Sequence, residues 1–171
     1  MRVYDAENET NNRDAMVIQR WQSVLLLVAA VMMGLASFKT LAGIQATDFT
    51  YTFSALGFEY AGEATGGATT GWALRTWTLF IVTLTGTILP LIDIFLFKKL
   101  RLQMRLALVC VLFCITTCAI AGLTAYRFAD GATVSWTQVA CAPLLALVAE
   151  VMAWQRMASD KRKLSAADRL R

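Results

Sequence analysis

Two carboxylates stand inside long apolar runs, Asp93 in TILPLIDIFLF and Glu150 in LLALVAEVMAW. A charge carried into hydrocarbon is costly unless paired, so both side chains are expected to face other helices rather than lipid. Arg20, with the amides of Gln19 and Gln22, opens an earlier apolar run at a matching depth. The spacing therefore predicts an intramembrane polar cluster of Arg20, Gln22, Asp93 and Glu150, in which Arg20 pairs with one carboxylate. Two chemistries fit it. Buried carboxylates are how many transporters bind protons or coupling ions. The same groups, reached by water and by snorkelling lysines near the headgroups, serve as structural glue.

The second set is sulfur. Cys110, Cys114 and Cys118 recur every four residues, within roughly 80° of arc on one helical face, and Cys141 belongs to the next apolar run. Cys110 and Cys118 lie about 12 Å apart by helical rise, too far to ligate one ion together. Their expected role is packing. Cys118 and Cys141 both fall in the outer half of their runs, where an oxidising compartment would allow a disulfide.

Little else could do chemistry. The sequence has no His, which removes the commonest general base and metal ligand. The remaining candidate acids, Asp48, Glu59, Glu63 and Asp130, are isolated in loops, with no nucleophile and base converging on one place. No enzyme activity, metal or cofactor is expected.

The elements that must position these residues follow from hydropathy. With 57% hydrophobic residues and 16% charged, and a mean hydropathy of +0.54, the chain is too apolar for a soluble domain. Four stretches are long enough to cross a bilayer: residues 21–41, 72–97, 106–126 and 136–154. Residues 1–16 are polar and read as a disordered extension, leaving residues 17–171 as one four-helix membrane domain with a tail at 155–171. The turn KKLRLQMRL makes spans two and three antiparallel neighbours. Arg20 before the first run also has the outline of a signal peptide, but that run exceeds a signal core.

In the first long loop, Phe49, Tyr51 and Phe53 alternate with Thr50 and Thr52, and Phe58 and Tyr60 flank Glu59. That period of two predicts a short β-hairpin. The expected fold is thus an all-α membrane protein, a four-transmembrane-helix bundle with one outer hairpin. Small residues at Ala30 and Gly34, Thr83 and Thr87, and Cys118 and Gly122 offer close helix contacts. Pro90 and Pro143 both fall inside expected spans, where proline kinks a helix.

Of the 16 Lys and Arg, all but Lys39, Arg75 and Arg127 gather at the two termini and the central turn. By the positive-inside rule both termini face the cytoplasm. The basic charge flanks apolar runs instead of forming one polar face, so nucleic acid is not an expected partner. Anionic headgroups are, with other membrane subunits or further copies of the chain second.

Three separated segments resemble a known family: Ile18-Gln19-Arg20-Trp21-Gln22; Ile94 to Lys99 with Leu102 to Leu106; and Asp160, Leu164 and the terminal Asp168-Arg169-Leu170-Arg171. They are similar to small uncharacterised four-span membrane proteins of Bacteroidota, which typically begin Met-Ile-Gln-Arg-Ile-Gln. The resemblance spans residues 17 to 171, with Val17 where the family places its first Met. It implies a bacterial inner membrane and a domain of unknown function, and carries no activity. The expected role is a non-catalytic accessory or scaffold subunit; the alternative is a small transporter or channel using Asp93, Glu150 and Arg20.

Overall fold

In lipid, backbone N–H and C=O groups have no water to bond, so an apolar run must close its own hydrogen bonds as a helix. The computed structural model describes residues 21–46, 49–61, 71–96, 100–128 and 131–169. The expected N-terminal extension and Arg20 lie outside the described residues. Among the described residues, four helices are long and apolar enough to cross a membrane. They are α1, Trp21–Phe38, α2, Trp77–Phe95, α3, Leu100–Phe128, and α4, Ala142–Arg169. Hydroxyls carried into them return to their own carbonyls: Thr85 donates to Ile81 at 2.7 Å, Thr87 to Thr83 at 2.9 Å and Thr116 to Leu112 at 2.8 Å.

The buried positions step by four and three along each helix. They run Gln22, Leu26, Ala29, Met33, Ala36 on α1 and Leu79, Thr83, Gly86, Pro90, Asp93 on α2. On α3 they are Gln103, Ala107, Cys110, Cys114, Thr117, and on α4 Ala142, Ala146, Ala149, Ala153. That is the seam of helices packed nearly parallel or antiparallel to one another. The residues on it are mostly small, while Leu27, Val31, Ile81, Ile88, Leu112, Ile115, Leu145 and Val148 are exposed. A soluble bundle would place the large apolar side chains inside; small residues inside and large ones outside suit lipid.

The loops at one end fold into a five-stranded antiparallel sheet, not the single expected hairpin. Its strands are β1, Thr40–Gln45, β2, Thr50–Ser54, β3, Gly57–Tyr60, β4, Trp72–Arg75, and β5, Thr133–Trp136, in the order β4-β3-β2-β1-β5. The expected hairpin is its β2–β3 unit, with Tyr51 opposite Tyr60 and Phe53 opposite Phe58. The extra strands shift three expected boundaries. Helix α1 stops at Phe38 because Thr40 already pairs with Ser54. Trp72, read as the start of span two, lies opposite Glu59. Trp136, read as the start of span four, lies opposite Ala42, and a 3-10 turn, Gln138–Cys141, precedes α4. In each case a sheet partner satisfies the backbone where a helix had been expected. Pro143 consequently falls in the first turn of α4, where its missing N–H disrupts no hydrogen bond.

One sheet face covers the helix ends. Leu41, Ala42, Ile44, Phe53 and Phe58 pack with Ala36, Leu79, Ala125 and Ala142 in one apolar cluster. Phe58 stacks on Phe53 at 4.5 Å and on Phe128 at 3.8 Å between ring centroids. The opposite face carries Gln45, Thr50, Glu59, Thr133 and Ser135, all exposed. Thr137 fastens β5 to β1 through its hydroxyl, which is 2.8 Å from the carbonyl of Thr40 and 2.9 Å from that of Leu41.

Candidate functional site

Asp93 ends the buried stripe of α2, and Glu150 sits beside Ala149 on the buried side of α4; both are 0% exposed. A charge on Asp93 acts on Glu150, and Cys110 of α3 feels both. Glu150 falls between Ala149 and Ala153, and Cys110 between Cys114 and Ala107. In each case one neighbour belongs to an apolar cluster with Ala29, Met33 and Ala146, and the other to a cluster with Leu26 and Met157. The carboxyls thus occupy a layer with apolar packing on both sides.

None of the four carboxyl oxygens has a hydrogen-bond partner among the described residues. The nearby amide of Gln103 is spent on the backbone: its Nε2 donates to the carbonyl oxygen of Asp93 at 3.5 Å, not to the carboxyl. The described cations flanking this region, Arg101, Arg105 and Arg156, are exposed.

The expected four-residue cluster therefore divides. Gln22 is buried but belongs to a different layer, where its Nε2 donates to Asp160 Oδ2 at 2.5 Å. Asp160 lies ten residues beyond Glu150 on α4, about 15 Å along the axis. Arg20, the expected partner of a carboxylate, is outside the described residues.

The cysteines are all free. Cys110 and Cys114 are buried, as packing residues should be, while Cys118 is half-buried and Cys141 exposed. The disulfide considered for Cys118 and Cys141 is not formed. Ala125 and Ala142 share the sheet-side cluster, and Cys118 lies about two turns, roughly 10 Å, farther down α3, so Cys141 stands at a different level. Among the described residues no group of three or more Cys, Asp or Glu could hold a metal ion.

Sequence reasoning missed Gln103, Asp160 and Thr117, whose buried hydroxyl has no partner among the described residues. The signal was present in α3: Gln103, Cys110 and Thr117 are seven residues apart, with Ala107 and Cys114 between them. Reading the cysteines at intervals of four followed the neighbouring stripe, which drifts off the buried face by Cys118.

A model of the family described as "Domain of unknown function (DUF4293)" matches residues 18–170, a range that takes in all four helices, the sheet and both carboxyls. No match is found among curated proteins.

Proposed function

Because the chain belongs to the DUF4293 family, a domain of unknown function, we propose a role from its build alone: a multi-pass integral membrane protein acting as a non-catalytic accessory or scaffold subunit. The observation that carries the membrane reading is the inverted distribution of side chains, with Ala, Gly, Cys and Thr along the helix seams and Leu, Ile and Val outside. The helices form a transmembrane bundle with the sheet on the exported side. Arg101, Arg105, Arg156, Lys161 and Arg162 lie toward the end away from the sheet, which supports the reading that this end, with both termini, faces the cytoplasm of a bacterial inner membrane. Anionic headgroups are its lipid partners there.

The scaffold role draws on the sheet. Both of its edge strands, β4 and β5, have one neighbour each, and its outward face is Thr, Ser, Gln and Glu. A partner subunit, or a second copy, adds by pairing along an edge. Mild-detergent purification of the native protein with mass spectrometry of the eluate tests this. Stoichiometric companions or a defined oligomer are expected; a lone monomer in the eluate removes the scaffold reading. Release of the chain from membranes by carbonate washing removes the membrane reading itself.

The transporter or channel alternative is favoured by one observation, the pair of buried carboxyls without partners among the described residues. Its test is flux in proteoliposomes, which Asp93→Asn and Glu150→Gln must reduce if the pair lies on the path.

A further inference from the structure

We propose that Asp93 and Glu150 form a proton-binding site, in which a proton held on each buried carboxyl takes the place of a counter-ion. The inference rests on the membrane reading, since it is lipid that denies these groups water, but not on whether the protein is a scaffold or a carrier.

The geometry leaves few other ways to make the layer neutral. Both side chains are fully buried, and all four oxygens lack partners among the described residues. Two ionised carboxylates in mutual reach repel, and each forfeits its hydration, a cost that burial in a low-dielectric interior makes severe. A proton on each carboxyl removes both penalties and leaves the layer neutral. A bound metal ion lacks ligands, because no third Cys, Asp or Glu converges on the pair among the described residues.

Among the described residues, the named neighbours of the two carboxyls are otherwise uncharged. Helix α3 contributes the amide of Gln103 and the thiols of Cys110 and Cys114, and Leu26 and Ala29 of α1 belong to the apolar clusters that flank the layer. Asp93 and Glu150 themselves represent α2 and α4. Loss of the protons would leave two negative charges buried in the layer without partners among the described residues.

The test is infrared spectroscopy of the full chain reconstituted in phosphatidylcholine vesicles, with flotation of the vesicles to verify insertion. At pH 7, where exposed carboxyls are ionised, the wild-type protein is expected to retain the carbonyl stretch of a protonated carboxyl. The band weakens in Asp93→Asn and in Glu150→Gln, vanishes in the double variant, and disappears from the wild type on alkalinisation. Absence of the band from inserted wild-type protein at pH 7, as would follow if Arg20 held a carboxylate and neither acid kept a proton, overturns the proposal. So does a band that survives the double substitution, or one that sodium or calcium ions abolish at constant pH. If the variants fail to insert, the wild-type spectrum and its loss at high pH still decide. Failure of the wild type itself to float with vesicles would instead defeat the membrane reading on which the site rests.

Discussion

Phe58 of β3 lies flat against Phe128, the last residue of α3, with ring centroids 3.8 Å apart and planes 11° from parallel. Tyr51 meets the same Phe128 edge-on at 5.1 Å, so the tip of one helix is clasped by the central strands of the sheet. A loop that merely joined two helices would need no such anchor. The sheet is docked, and its geometry is tied to that of the bundle.

The first prediction follows from this contact. Phe58 is 0% exposed and stacked on both sides by Phe53 and Phe128, so Phe58→Ala should cost about 3–5 kcal/mol of local stability. Limited proteolysis in detergent is expected to show faster cleavage between residues 40 and 75, with the helical segments still resistant. Equal cleavage rates in variant and wild type would mean that the sheet holds without its aromatic anchor.

Gly57 sets the next test. Its φ of +144° disfavours any side chain, and a Cβ placed there would come within 2.1 Å of the carbonyl oxygen of Leu74. Because that neighbour is backbone, β4 must move away, and Gly57→Ala should cost about 1–3 kcal/mol. Hydrogen exchange is expected to rise over residues 72–75 and to stay unchanged over β1 and β5, on the far side of the sheet. Unaltered exchange at β4 would contradict the close approach.

The helices were legible in the sequence, and most of the sheet was not, for a reason visible in Trp72 and Trp136. Each is a tryptophan next to an apolar run, the pattern of a helix entering the headgroup region, yet each ends or begins a strand of four residues. Four residues are too few to display a period of two against such a flank. The hairpin was legible because Tyr51, Phe53, Phe58 and Tyr60 alternate with polar neighbours across two strands. Asp93 and Glu150 stood out by chemistry alone, since an acid in an apolar run must turn inward. That Gln22 would serve Asp160 instead depends on where α4 continues beyond its apolar stretch, which local sequence does not encode.

Topology can be read from a native thiol. Cys141 is exposed beside the sheet, whereas Cys110 and Cys114 are buried. A membrane-impermeant maleimide should therefore label Cys141 from the exported side of spheroplasts. In a variant carrying Cys141→Ser and Lys161→Cys, labelling should appear only in inverted vesicles. Reaction of both sites from the same side would mean that the chain does not cross the membrane between them, and the positive-inside assignment would fail with it.

A close helix contact offers a quantitative test. A Cβ at Gly86 of α2 would stand 2.6 Å from Cε of Met33 on α1 and 3.6 Å from Cβ of Phe113 on α3. The near neighbour is the far end of a flexible side chain, which can turn aside, so Gly86→Ala should be tolerated at a cost of about 1 kcal/mol or less. Gly86→Ile leaves no such escape and should cost about 1–3 kcal/mol through overpacking. If the clash with Met33 is the cause, Met33→Ala alone will destabilise by opening a cavity, but in the Gly86→Ile background it will restore stability. The two substitutions would then be coupled by more than about 1 kcal/mol in a double-mutant cycle. Thermal unfolding in detergent measures all four corners of that cycle. Strict additivity would show that α1 and α2 do not meet at this point, and that the seam built from Met33 and Gly86 is misassigned.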